Sequence, residues 1–135
     1  METWEEFSLR KYLLIVLFLL LSVFLTRFVL NREYYPPLPI SSINKREAVS
    51  RLEHSSETIV KIAEEDGYEW YITRMEQGRG YKNVTRMVSK NGWTLKNRDG
   101  NGFFFMKKDR TIIVTTQMWT GNYILCKIPN EWRSK

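Results

Sequence analysis

The stretch Trp93–Ile128, WTLKNRDGNGFFFMKKDRTIIVTTQMWTGNYILCKI, decides the fold. Four runs dense in β-branched and aromatic residues, Trp93–Lys96, Phe103–Lys107, Thr111–Met118 and Tyr123–Ile128, alternate with Arg98–Gly102, Lys108–Arg110 and Thr120–Asn122. Residues of the first kind suit a pleated, half-buried surface, and the Gly, Asp and Asn between them suit tight turns. The spacing therefore predicts four strands joined as hairpins. In Thr111–Met118, Ile112, Val114 and Met118 alternate with Thr111, Thr115 and Gln117, with Ile113 out of step, which makes this a central strand with one face mostly buried. The same alternation puts Cys126 with Ile124 and Ile128 on one side of the last strand.

Upstream, Tyr68–Met75 has strand composition and stops at the turn-prone Gly78-Arg79-Gly80. Tyr81–Lys90 follows as a short amphipathic helix: Val84, Met87 and Val88 share a face, and Asn91-Gly92 offers a left-handed cap. Before the strand, Ile43, Val49, Leu52, Ile59, Ile62 and Ala63 recur at helical spacing between an N-cap at Ser41 or Ser42 and the stop at Gly67. That pattern predicts one helix, or two broken near His54–Ser56. Its heptad-like seam is short and interrupted by Ser56, so packing on the domain's own sheet is expected rather than a coiled coil. The order of elements specifies a small α+β domain over residues 42–135, an antiparallel β-meander with one or two helices packed on one face.

The N-terminal part is of another kind. From Tyr12 to Thr26 there is no charge, and with Arg27 tolerated the apolar run reaches Leu30. At 1.5 Å per residue the longer run spans about 28 Å, close to the ~30 Å of a bilayer's hydrocarbon core. Arg27 lies near the end, where its guanidinium can reach the headgroups. A cleaved leader needs small residues after its apolar core, whereas Leu25–Tyr35 reads LTRFVLNREYY. Residues 12–30 are therefore expected to be an uncleaved signal anchor behind a short tail, 1–11, with a proline-rich spacer over 31–41. Tyr34 and Tyr35 would sit at one membrane interface, and Tyr12 and Trp4 near the other, with Arg10, Lys11 and Arg27 at the headgroups. Arg27 and Arg32 on one flank, with Lys45 and Arg46 beyond, oppose Arg10 and Lys11 on the other, so the positive-inside rule does not decide orientation by count. The Arg-Lys pair abutting the run favours N-terminus in and domain out, a single-pass protein of the cell membrane.

Composition narrows the chemistry. Hydrophobic residues at 43% and aromatics at 14% exclude a disordered tail despite the net charge of +6. A lone cysteine, Cys126, excludes an intramolecular disulfide and any multi-thiolate metal site. Between strand neighbours it reads as a small core residue rather than a nucleophile. His54 is the only histidine, so a His-metal cluster or catalytic triad would hang on one residue of an amphipathic helix. Glu64, Glu65 and Asp66 lack calcium-loop spacing and read as a solvated helix end. No cofactor or metal is expected, and the pattern points away from an enzyme.

Charge distribution is the least ordinary feature. Residues 45–69 hold four Lys/Arg against seven Asp/Glu, whereas residues 70–135 hold thirteen against four. Within the basic part Lys82, Arg86 and Lys90 fall at i, i+4 and i+8, opposite Val84, Met87 and Val88, with Arg79 just before them. Such a stripe can hold phosphates or acidic headgroups. Its plainer reading is the solvated face that any amphipathic helix needs. Trp70, Trp93, Trp119 and Trp132 stand near Lys or Arg, but at strand positions aromatics more often fill a core, so nucleic acid is a poor fit. Asn83-Val84-Thr85 matches the glycosylation pattern, which has meaning only in a secretory pathway. The sequence thus supports a membrane-anchored, non-enzymatic interaction domain that binds or modulates another protein at the cell envelope. The alternative is a basic surface, Arg79, Lys82, Arg86 and Lys90, for an anionic polymer or acidic lipid headgroups.

Overall fold

A computed structural model describes residues 4–30 and 35–134. The chain forms two compact units that divide at Tyr34/Tyr35. In the first, α1 (Trp4–Leu30) is one continuous helix. Its stretch Phe7–Val29 has a mean hydropathy of 2.5 and buries none of its surface, so it is long and apolar enough to cross a membrane. The helix starts earlier than the apolar run alone suggests, and it carries Arg10 and Lys11 within it and Arg27 in its last turn. Tyr34 and Arg32 lie outside the described residues.

The second unit is an α+β domain built on a six-stranded antiparallel sheet. Its elements are α2 (Lys45–Glu53), β1 (Ile59–Glu65), β2 (Tyr68–Arg74), α3 (Arg79–Lys90), β3 (Thr94–Asp99), β4 (Gly102–Lys107), β5 (Arg110–Met118), β6 (Tyr123–Pro129) and a 3-10 turn at Asn130–Arg133. The strand order is β1-β2-β6-β5-β4-β3. β3 to β6 form the expected meander, and the hairpin β1-β2 then joins it through β2 against β6. α3 carries the chain from the interior strand β2 to the far edge at β3.

Two expectations fail here, for identifiable reasons. Residues 59–65 are a strand, not the end of a helix. Ile59, Ile62 and Ala63 satisfy helical spacing, but Ile59, Val60 and Ile62 are β-branched, and Asp66 and Gly67 both have positive φ, 54° and 80°. With Glu65 paired to Tyr68, that is a two-residue type I′ hairpin, the turn Asp-Gly favours. Glu64 and Glu65 therefore belong to a strand rather than a helix end.

The helices also do not share a face. α2 buries Ala48, Val49 and Leu52 in a cluster with Ile62, Ile72 and Leu125, whereas α3 buries Val84 and Val88 in a separate cluster with Phe105, Val114, Cys126 and Trp132. The cause lies in β6, where Tyr123, Ile124, Leu125 and Cys126 are all buried. A strand apolar on both faces needs cover on both.

Local details follow the same logic. Asn44 caps α2, its Oδ1 accepting from the Glu47 amide at 2.9 Å. The expected caps act elsewhere: the Ser41 and Ser42 amides and the Ser41 hydroxyl donate to the Glu65 carboxylate. Ser42, then Ser41, hold that carboxyl below its ordinary pKa. Residues 35–43 lie against the sheet on the α2 side, with Ile40 and Ile43 buried. Tyr35 stacks on Trp119 at 5.4 Å, and the Trp119 indole donates to Pro36 O at 3.1 Å. Tyr35, expected at the membrane interface, is thus half-buried in the domain, and the prolines shape a packed strap rather than a free spacer. Gly80 is required by close approach: a Cβ there would meet Ile124 Cδ1 at 2.7 Å and Arg74 O at 2.9 Å.

Candidate functional site: a cationic double cleft beside α3

α3 stands over β1 and β2, and the 3-10 turn stands beside it over β2. The floor between them is set by Glu69, which is 7% exposed. Its carboxylate accepts from the Tyr71 hydroxyl, from the Trp132 indole at 2.7 Å and from Lys61 at 2.9 Å. Arg133 lies 3.7 Å away and also donates to the Tyr71 hydroxyl oxygen at 2.7 Å. Burial alone would raise the Glu69 pKa, but the donors from Tyr71, Lys61 and Trp132 outweigh it and bring it down to about 2. Burial, and then the Glu69 carboxylate, push the Tyr71 phenol up, so it stays a neutral donor. Lys61 is held in its charged form first by Glu64 and then by Glu69.

On this floor stands a cleft of about 570 Å³, walled by α3 through Arg86 and Lys90, by Ser56–Ile59 and Lys61, and by Trp132 and Arg133. A second cleft of about 410 Å³ adjoins it, lined by Arg79, Lys82 and Glu76, and shares Thr58, Asn83 and Arg86 with the first. Asn83 is a fixed partition, because its amide donates to Thr73 Oγ1, which itself donates to Thr58 O. The four residues of the α3 stripe therefore lie along one pair of clefts. Their side chains have no hydrogen bond or ion pair among the described residues, in contrast to Lys61 and Arg133.

Periodicity alone did not reveal Lys61 and Arg133. Lys61 sits on a strand that reads as helix, and Arg133 lies in a terminal turn with no repeat to mark it. In all, six cationic side chains line the clefts against the carboxylates of Glu57 and Glu76.

The other candidates separate from this site. His54 ends α2, its Nδ1 donating to Ser50 O at 2.8 Å. Cys126 is 1% exposed, and burial pushes its thiol pKa up, which disfavours the thiolate. Among the described residues, no three His, Cys, Asp or Glu side chains converge as metal ligands. The amides of Arg79 and Gly80 bond to Glu76 O and Met75 O, so the Gly-Arg-Gly turn leaves no open nest there. Trp93, Trp119 and Trp132 are buried and offer no face for a stacked base. The Asn83 side-chain nitrogen is committed to Thr73 within a helix, a poor glycosylation acceptor. Comparison with protein-family models, curated proteins and solved structures finds no match for the chain.

Proposed function

We propose that the chain is a membrane-tethered, non-enzymatic binding domain whose ligand surface is the basic face of α3. In this reading α1 is an uncleaved single-pass anchor in the cell membrane, and the domain lies outside the cytoplasm. The observation that carries it is the placing of Arg79, Lys82, Arg86 and Lys90, all without ion pairs among the described residues, along two adjoining clefts. Unpaired cations along a concave wall concentrate a field that attracts an anionic polymer or acidic headgroups. The test uses the full chain in zwitterionic nanodiscs with a panel of labelled anionic polymers and acidic vesicles. Binding is expected to weaken steeply with salt and to be lost in the Lys82→Glu/Arg86→Glu variant. Salt-independent binding, or none to any member of the panel, removes the reading.

A protein partner at the envelope is the second reading. What favours it is the part of the sheet opposite α3 near β3, where Ile113 is 46% and Met106 40% exposed, with Phe104 paired to Ile113. Mild crosslinking in cells should then trap a protein through this face, and Ile113→Lys should abolish the crosslink. An unchanged crosslink counts against it.

A further inference from the structure

Building on the anionic-ligand reading, we infer that the double cleft takes a linear phosphodiester polymer laid along α3, with one phosphate per helical turn. Lys82, Arg86 and Lys90 follow one another at four-residue steps, so their Cα atoms rise by about 6 Å each, and Arg79 extends the row to about 16 Å. A phosphodiester chain with three-carbon linkers has six bonds between successive phosphorus atoms, as many as two peptide residues, and so reaches at most about 7 Å. Such a chain can present one phosphate to each turn of the helix.

The wider cleft adds chemistry that favours phosphate over carboxylate. Arg86 and Lys90 approach from α3 while Arg133 approaches from the opposite wall, where its bond to the Tyr71 hydroxyl orients the guanidinium. Donors on two sides suit the tetrahedral phosphodiester group, whereas a planar carboxylate is satisfied by one fork. Glu69 keeps this wall in place without competing for the anion, because its oxygens are turned to Tyr71, Trp132 and Lys61.

Nucleic acid is the phosphodiester this surface fits least. Single strands are held by stacking bases on exposed aromatics, and the indole lining the cleft, Trp132, is 0% exposed. A backbone of small polyol linkers needs no such platform.

The experiment measures affinities of the full chain, in zwitterionic nanodiscs, for poly(glycerol phosphate), poly-glutamate of equal charge, a thymidine oligonucleotide, inorganic phosphate, and vesicles containing phosphatidylglycerol. Poly(glycerol phosphate) is expected to bind tightest. With four contacts and a slope of about −0.7 per contact, as for single strands, its affinity should fall about 50-fold between 50 and 200 mM salt. Arg86→Gln and Arg133→Gln should each make that slope shallower by about one contact, with urea midpoints checking that both variants remain folded. Poly-glutamate binding within threefold, inorganic phosphate binding as tightly as the polymer, or a preference for the oligonucleotide or the vesicles each overturns the inference and leaves the basic face as a ligand surface. No binding to any of the five overturns both.

Discussion

Replacing Glu69 by Gln tests whether a buried carboxylate organises the cleft floor. Glutamine has the same shape but one acceptor oxygen. It can serve Lys61 or the Tyr71–Trp132 pair, which now share one oxygen, but not both. A buried hydrogen bond left unmade costs about 1–3 kcal/mol. Linkage gives a matching figure, since a shift from 4.5 to about 2 corresponds to about 3 kcal/mol at 1.36 per unit. The sign follows from a folded pKa below the unfolded one: the stabilisation is fully present above about pH 4.5 and is lost as pH falls toward 2. Urea unfolding of the full chain in detergent, followed by tryptophan fluorescence, should place Glu69→Gln about 3 kcal/mol below wild type at pH 7. By pH 3 about 2 kcal/mol of that gap should be gone. Other carboxylates, Glu64 included, titrate in both proteins and largely cancel in the difference. A gap equal at pH 3 and pH 7, or absent at pH 7, would refute the reasoning.

Gly80→Ala pushes a methyl group into Ile124 and the Arg74 carbonyl, and should lower stability by about 1–3 kcal/mol in the same unfolding assay. Trp119→Phe keeps the ring on Tyr35 but removes the bond to Pro36 O, costing about 1 kcal/mol and speeding proteolysis within residues 35–43. Cys126 should not react with a thiol reagent until the domain unfolds. Because that thiol is silent, Ser89→Cys, at an exposed site on α3, should be labelled by an impermeant maleimide on intact cells; labelling only after lysis would place the domain inside.

The meander was legible because its strands are punctuated by Gly, Asp and Asn, and the amphipathic spacing of Val84, Met87 and Val88 marked α3. The left-handed Gly92, φ 85°, caps that helix as Asn91-Gly92 implied. What stayed hidden was β1, whose apolar positions fit two periods at once; only the Asp66-Gly67 turn separates them. The two-sided cover of β6 was present in the run Tyr123–Cys126 but was outweighed by attention to alternation. At the site, regular spacing exposed the α3 cations. Lys61 and Arg133 reach the same cleft through β1 and the terminal turn, a long-range meeting that no local pattern encodes. Glu69 gives no local sign of its role either, since its partners Trp132 and Arg133 lie more than sixty residues away.

The most direct measurement is hydrogen–deuterium exchange of the full chain in zwitterionic nanodiscs, with and without saturating poly(glycerol phosphate). Added protection is expected in residues 56–61, 79–91 and 131–134, the walls of the double cleft, with little change in 102–118. Protection centred on 102–118, or none under saturating polymer, would contradict the assignment of the basic face of α3 as the ligand surface.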